Sequence, residues 1–269
     1  MKTYLWIGLL AAAACVAQDQ PADRVTVPFS DANAPKQLKV HLMNGSITIR
    51  GYDGKDAIVE ARGTSRRRER RDQRTDGLRR LEIFSSGLTV EEQNNVLRVG
   101  TGHNSNASLV IQVPVNTSVS AAVVNGGDLV IENISGEIDA NNTNGGIKMS
   151  NISGTVVAHA LNDDVTVKFD KVTPTKPMSF SSLNGDIDVT FPADIKARLK
   201  LKSEHGDIYS DFDIQMQPGS RQPVVEENRQ KSGKYRVQFD RAMYGTINGG
   251  GQEVQLTTLN GKILIRRAE

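Results

Sequence analysis

Short runs in which apolar and polar residues alternate make up most of this chain. Residues 129–132 read LVIE and residues 187–190 read IDVT. Alternation with a period of two places apolar side chains on one face of a β-strand and polar side chains on the other. The pattern therefore predicts many short strands, each with one face turned toward a core.

The same turn sequence separates these strands at regular intervals. Asparagine, usually followed by glycine, occupies the equivalent position at Asn125, Asn144, Asn162, Asn184, Asn248 and Asn260, with an earlier member at Asn44. The first steps between these positions are 19, 18 and 22 residues. Asn and Gly tolerate positive φ, which tight turns between strands require. We therefore assign the first six asparagines as structural turn residues.

A second turn, Asn-Ile-Ser-Gly, begins at Asn133 and again at Asn151, so each unit holds two short strands and two turns. A unit of this size cannot bury its apolar face alone, whereas units stacked about 4.8 Å apart share one core and pair their backbones. The repeat predicts an all-β solenoid in which the turn asparagines form a hydrogen-bonded ladder. Residues 25–115 are expected to form irregular antiparallel strands, and residues 25–41 and 256–265 to cap the ends.

The N-terminus is typical of an export signal. Lys2 precedes an apolar run over residues 4–14, too short to span a bilayer, which needs about 20 residues. Two processing sites fit: lipidation of Cys15 after a signal ending at Ala14, or cleavage after Ala17. We assign residues 1–17 as signal peptide, residues 18–34 as linker and residues 35–267 as the solenoid domain. The protein is expected to be exported, to the periplasm, an outer-membrane-anchored position or the cell surface.

The late repeats carry a more specific combination of motifs. Residues 179–212 read SFSSLNGDIDVTFPADIKARLKLKSEHGDIYSDF, and the segments YGTINGGG (244–251) and TLNGKILI (258–265) follow. Together they resemble the bacterial "putative adhesin" β-strand-repeat family, a domain of unknown function similar to the heads of autotransporter-like adhesins. Over residues 35–267 the resemblance implies a right-handed single-chain β-helix. It supplies no catalytic residues, and the adhesin label itself rests on likeness of shape.

A search for reactive groups assigns no catalytic, cofactor-binding or metal-binding residue. Cys15 is the only cysteine, which excludes an intrachain disulfide and cysteine-based zinc chemistry. The four histidines are scattered, and no G-x-S-x-G motif occurs. Acidic residues recur in the turns, at Asp128, Asp163, Asp164, Asp186 and Asp207. We favour hydrogen bonding to backbone amides over calcium binding as their role.

One strongly basic segment interrupts the early strands. Residues 62–80 hold nine arginines against three acidic residues, and this insertion is expected to be an exposed helix or loop. Arg66, Arg67, Arg68, Arg70, Arg71 and Arg74 are candidates for contact with an anionic membrane surface. A solvated segment without a partner is the alternative. Export and the lack of interleaved aromatic residues argue against nucleic acid as a partner.

The leading functional hypothesis is an adhesin-like envelope or surface binding protein or scaffold, without catalysis, whose partner is an envelope glycan or protein. One alternative is a polysaccharide-active β-helix enzyme, which would need two carboxylates about 5–9.5 Å apart in one groove. Another is a structural or stress protein of the envelope, docked on anionic lipid through the basic segment.

Overall fold

The computed structural model describes residues 23–63, 87–102, 106–172, 176–217, 223–228, 234–239 and 242–269. The predicted signal peptide, Cys15 and the six candidate arginines lie outside these ranges. The described residues form strands and turns, and none of them is helical. In that part of the chain, accordingly, no helix is long and apolar enough to cross a membrane.

The strands are β1 (Asp23–Val27), β2 (Gln37–Tyr52), β3 (Ala57–Gly63), β4 (Thr89–Gln93), β5 (Val96–Gly100), β6 (Ala107–Pro114), β7 (Ser118–Glu132), β8 (Ile138–Asn142), β9 (Ile147–Ile152), β10 (Val156–Ala160), β11 (Val165–Phe169), β12 (Met178–Ser182), β13 (Ile187–Phe191), β14 (Ala197–Ser203), β15 (Ile208–Ser210), β16 (Gln215–Met216), β17 (Pro223–Asn228), β18 (Lys234–Phe239), β19 (Met243–Ile247), β20 (Gln252–Thr258) and β21 (Ile263–Arg267).

Parallel pairing stacks most of these strands into two facing columns. Column A contains β5, the first half of β2, the first half of β7, β8, β10, β12, β20 and β14, in that order. Column B contains β6, the second halves of β2 and β7, β9, β11, β13, β21 and β15. One strand from each column, with the turn between them, makes a rung, and in most rungs this turn carries the repeated asparagine. The predicted all-β solenoid is confirmed, and the described strands supply eight such rungs.

The core lies between the columns, because every other residue of each strand points inward. The register keeps buried apolar residues in line from rung to rung along column B: Ile47, Leu129, Ile147, Val165, Ile187 and Ile263 are all fully buried. Phe169, Phe180 and Phe191 fill the middle of the stack; the Phe169 and Phe191 rings stack with centroids 5.2 Å apart, and Phe180 meets both edge-on.

Spatial order departs from chain order at both ends. Strand β2 lies between the rung formed by β5 and β6 and the rung formed by β7. Strands β20 and β21 lie between the rung of β12 and β13 and the rung of β14 and β15. The expectation that residues 256–265 form a cap is therefore wrong, because they sit one rung inside the stack. The same holds for residues 37–41 of β2, whereas residues 25–27 of β1 do lie at the end of the stack.

The expectation of antiparallel strands over residues 25–115 holds only in part. Strands β1, β3 and β4 pair antiparallel, with β3 on β6, β1 on β3 and β4 on β5. By contrast β2, β5 and β6 belong to the parallel stack, because they share its core and register. Strand β1 lies in the segment predicted as linker.

At the other end, β19 covers β14 and β16 covers β19, both antiparallel. Residues 218–233, expected to be a loop between late rungs or an insertion, include β17. This strand pairs with β18 in a separate two-stranded sheet.

Candidate binding surface

The turn from column A to column B, called here the Asn corner, is held by a continuous ladder of side-chain hydrogen bonds. Each amide Nδ2 donates to the Oδ1 of the previous rung: Asn144 to Asn125 at 2.9 Å, Asn162 to Asn144 at 2.9 Å, Asn184 to Asn162 at 3.0 Å and Asn260 to Asn184 at 2.8 Å. Five of the six assigned asparagines are thus brought together on one exposed edge.

Asn248 lies elsewhere. Its φ is 50°, and its amide donates to the carbonyls of Ala193 at 3.1 Å and Ile195 at 2.8 Å. It ties down the turn after β19 rather than extending the ladder. On the opposite corner Asn151 donates to Asn133 at 3.0 Å, and both residues have positive φ.

Most turns of the Asn corner require glycine because the neighbouring rung leaves no room for a side chain. Positive φ is not the reason at Gly145, Gly185 and Gly261, which are not among the glycines with positive φ. A Cβ on Gly185 would lie 2.2 Å from the carbonyl oxygen of Asp163, and one on Gly261 would lie 2.1 Å from that of Gly185. Positive φ occurs instead at Gly45 and Gly126, where β2 and β7 bend through the corner without a break.

Buried polar side chains tie each corner to its neighbour from the inside. The Ser182 hydroxyl donates to the Asp163 carbonyl at 2.9 Å, and the Thr258 hydroxyl donates to the Gly185 carbonyl at 3.0 Å. The side-chain amide of Asn142 likewise donates to the carbonyl oxygens of Gly127 and Gly146. The sequence analysis did not identify these three buried polar residues. They could have been found from the sequence, since each is a polar residue at an inward position two residues before the corner asparagine.

The acidic turn residues mostly bond the backbone of the next rung. Asp164 Oδ1 accepts from the Asp186 amide at 2.7 Å, and Asp186 Oδ1 accepts from the Lys262 amide at 2.7 Å. Asp128 accepts from the Gly146 amide at 3.1 Å and from Lys148 Nζ at 2.5 Å, which raises the pKa of Lys148. Asp163 accepts from the next amide of its own turn, and Asp207 accepts from the Tyr209 hydroxyl. Among the described residues no group of three or more His, Cys, Asp or Glu is arranged to hold a metal ion.

The outer surface of column A is flat, with a shallow groove of about 350 Å³ crossing its early rungs. It is lined by Gln37, Lys39, Ser118, Val119, Ser120, Glu137, Ile138, Asp139, Thr155, Val157, Lys176 and Pro177. Lys176 Nζ contacts Glu137 Oε1 at 2.5 Å and Asn141 Nδ2 donates to Asp139 at 2.9 Å. Next to the groove, His159 Nδ1 and the Ser181 hydroxyl lie 2.6 Å apart on neighbouring strands.

This groove offers hydrogen-bonding groups along its length. Its two carboxylates belong to exposed residues, Glu137 and Asp139, and each already has a partner. Neither occupies the apolar pocket that a general acid working at neutral pH needs. The geometry suits reversible contact with an extended polar ligand.

The described residues nearest to the basic segment on either side, Gly63 and Gly87, both lie at one end of the stack. Gly63, at its start, pairs with Ala107 of the first rung, and the Gly87 carbonyl accepts from the Gly102 amide at 3.2 Å. Strand β1, the described strand nearest the predicted export signal, lies at this same end.

Stacked parallel rungs, an asparagine ladder and flat polar outer faces define a β-solenoid repeat protein. Residues 116–248 match the family model Toastrack DUF4097, so this part of the chain is a Toastrack domain, a domain of unknown function. The predicted membership of such a family is confirmed.

Two solved structures are similar to the whole chain. One is described as a putative cell adhesion protein from Clostridium sporogenes ATCC 15579, with 11% identity, a TM-score of 0.45, and coverage of 92% of this chain and 100% of that one. The other is described as a putative adhesin from Bacteroides fragilis NCTC 9343, with 10% identity, a TM-score of 0.42, and coverage of 93% and 98%. No curated protein matches the sequence. The function is therefore argued from this chain's own residues.

Proposed function

We propose that this protein is an exported, adhesin-like binding module or scaffold of the cell envelope, with no catalysis of its own. The outer face of column A carries the proposal: a flat polar surface that repeats at about 4.8 Å over eight rungs. Such a surface suits a ligand that is itself extended and repetitive, and an envelope glycan or an elongated protein has that form.

The side chains of this face support the same idea. Aligned positions on successive rungs hold Lys39, Ser120, Asp139, Val157 and Ser179. Most are small or hydrogen-bonding, so a ligand can approach the sheet closely along its length. Affinity would then come from many weak contacts added along the stack rather than from one deep pocket.

The test is saturable binding of mature protein (residues 18–269) to isolated envelope fractions, followed by identification of the bound material. Replacing Ser120 and Ser179 with Arg blocks column A with bulky side chains. Thr166 and Thr190, on the outer face of column B, supply the matched control when changed in the same way. Loss of binding with the first pair alone supports the proposal. Absence of saturable binding at both low and physiological salt refutes it, and leaves polysaccharide cleavage or a purely structural role.

We further propose that the protein stands on the membrane with its first rung nearest the lipid. The basic segment, rooted at Gly63 and Gly87, and the segment that follows the predicted signal both join the solenoid at this end. A lipid on Cys15 would anchor the chain where the arginines could meet anionic headgroups. A lipid anchor and a basic segment together give stable attachment to a membrane, whereas either one alone binds weakly.

Liposomes with and without anionic lipid test this orientation. Changing Arg66, Arg67, Arg68, Arg70, Arg71 and Arg74 to Gln should weaken binding to anionic vesicles, and added salt should weaken it further. Arg198, which is exposed, and Lys200, which is half-buried, lie near the opposite end; they supply the control and should have little effect when changed to Gln. Binding that is independent of salt contradicts the proposal.

A further inference from the structure

Three adjacent rungs carry the same dipeptide at the Asn corner: Leu161-Asn162, Leu183-Asn184 and Leu259-Asn260. Backbone hydrogen bonds hold the three dipeptides in register. The Asn184 amide donates to the Leu161 carbonyl at 3.0 Å, and the Asn260 amide donates to the Leu183 carbonyl at 2.9 Å. Leucine and asparagine therefore repeat along this edge at the rung spacing of about 4.8 Å. We call these six residues the Leu-Asn strip.

The leucines of the strip lie on the surface rather than in the core. Leu183 is 38% exposed and Leu259 is 36% exposed, and Leu161 is half-buried. A single exposed leucine is ordinary on a protein surface, but three on consecutive rungs form one continuous apolar ridge. The adjoining rungs mark the limits of this ridge, because Thr143 and Glu204 occupy the equivalent position there.

The asparagines of the strip have hydrogen-bonding capacity that the described residues do not use. A side-chain amide has two N–H donors and an oxygen with two lone pairs. In Asn162 and Asn184 the ladder uses one N–H and one lone pair. By contrast Asn144, on the preceding rung, donates its second N–H to the Val124 carbonyl at 3.0 Å. Each rung of the strip thus offers a donor and an acceptor beside an apolar side chain.

A linear polysaccharide matches this combination of groups. Its sugar rings have apolar C–H faces, and their edges carry hydroxyl groups that donate and accept hydrogen bonds. Successive rings of an extended glycan follow each other at about the spacing of the rungs. One ring can therefore lie over each leucine while its hydroxyls bond to the asparagine beside it, and the three contacts add along one ligand chain.

Charge on the flank of the strip narrows the class of glycan. The turns of the Asn corner hold the five aspartates named above against two cations, Lys148 and Lys262. Lys148 is already paired with Asp128. Asp164 and Asp186 each use one carboxylate oxygen for a backbone amide, which leaves the other oxygen for a ligand. This excess of negative charge repels a polymer that carries carboxylates or phosphates and attracts one that carries protonated amines.

We propose that the Leu-Asn strip is a binding site for a linear polysaccharide of amino sugars, which lies along the solenoid axis with one sugar on each rung. The strip supplies the apolar and hydrogen-bonding contacts, and the flanking aspartates select a positively charged glycan over a negatively charged one. This site is separate from the groove of column A, so the two are tested independently. Ser120→Arg with Ser179→Arg, which blocks column A, should leave binding at the strip unchanged.

Calorimetric titration of residues 18–269 with three linear hexasaccharides tests the proposal: a glucosamine hexamer, its N-acetylated form and a galacturonate hexamer. At about pH 6 the free amines are protonated. The glucosamine hexamer should bind, and added salt should weaken its binding. The N-acetylated form should bind at least about threefold more weakly, because it lacks the attraction between charges, and the galacturonate should not bind. A wild type that does not bind the glucosamine hexamer, or that binds either of the others at least as tightly, overturns the proposal.

Substitution of the leucines locates the site. Leu183→Ser with Leu259→Ser removes most of the apolar ridge and should weaken binding of the glucosamine hexamer at least about fivefold. Val130→Ser with Val157→Ser, on the outer faces of the two columns, is the matched control and should bind as the wild type does. A leucine variant that binds normally contradicts the proposal. So does one whose only defect is weaker self-association in sedimentation, because the ridge then covers a second copy of the chain.

A second variant tests the role of charge without disturbing the turns. Asp163→Asn, Asp164→Asn and Asp186→Asn together keep the oxygen that accepts each backbone amide and remove the negative charge. This variant should lose the preference for the glucosamine hexamer over its N-acetylated form. The control changes three exposed aspartates in turns that follow column B, Asp53, Asp170 and Asp194, to Asn. Circular dichroism checks that every variant is folded, and an unchanged preference in the first variant refutes selection by the aspartates.

Discussion

Replacing Gly185 with Ala tests whether the rungs are held at their spacing by the absence of side chains in the Asn corner. The new Cβ would lie 2.2 Å from the carbonyl oxygen and 2.3 Å from the carbonyl carbon of Asp163. Both are backbone atoms, so no rotamer change relieves the overlap. The same carbonyl accepts the buried Ser182 hydroxyl, so moving the carbonyl also strains that hydrogen bond.

The expected cost follows from these contacts. Overpacking in a well-packed region costs about 1–3 kcal/mol. Weakening the hydrogen bond of Ser182, which is 6% exposed, adds about 1–2 kcal/mol. Alanine offsets about 0.4–1 kcal/mol by restricting the unfolded chain. The sum predicts that Gly185→Ala lowers the free energy of unfolding by about 1–5 kcal/mol.

Urea unfolding followed by far-UV circular dichroism measures this change. Gly100→Ala is the control, because a Cβ on Gly100 would meet only the His41 carbonyl oxygen, at an ordinary 3.8 Å. The control should raise the free energy of unfolding by about 0.4–1 kcal/mol, because alanine restricts the unfolded chain and meets no obstacle at this position. If Gly185→Ala proves as stable as Gly100→Ala, close backbone stacking is not what selects glycine in this corner.

Other parts of the fold give further predictions. Phe180→Ala removes a fully buried ring and should cost about 3–5 kcal/mol of unfolding free energy in the same assay. Asn162→Ala breaks two exposed ladder bonds and should cost about 1 kcal/mol, whereas Asn162→Asp keeps one acceptor and should cost less. The hydrogen bond from the Ser30 hydroxyl holds the pKa of Glu92 below its ordinary value, so the stability it adds is present above the ordinary pKa of the carboxyl and is lost as pH falls through the folded pKa. Ser30→Ala should raise this pKa in an NMR titration, and an unchanged value contradicts the assignment. Deleting residues 252–269 should unstack the rung of β14 and β15, seen as loss of its amide exchange protection.

The sequence predicted what depends on local pattern. Alternation fixed which residues of β9, β11 and β13 face the core, and the repeated asparagine located the corner that the ladder occupies. Such features depend on a few neighbouring residues and on the repetition of the same short unit from one rung to the next. These features are sufficient to predict the fold class.

Pairings between distant parts of the chain could not be predicted in this way. The register of β2 with β7 joins segments about eighty residues apart, and the insertion of β20 beside β12 joins segments about seventy-five apart. Alternation is the same in parallel and antiparallel strands, so nothing local marks the partner. The function of the corner glycines was hidden for a related reason, because the atoms that exclude a side chain belong to another rung.

The placement of β20 and β21 inside the stack has a consequence for the proposed export of the protein. These strands follow β14 and β15 in the chain, so they emerge after them from a ribosome or a secretion pore. Until they arrive, β12 and β13 lack their outer neighbours, and β14 and β15 have no inner neighbour on which to stack. If the protein is exported as proposed, a chain still threading through a pore is kept from closing into its stable form, and the stack is completed only after transport of these strands.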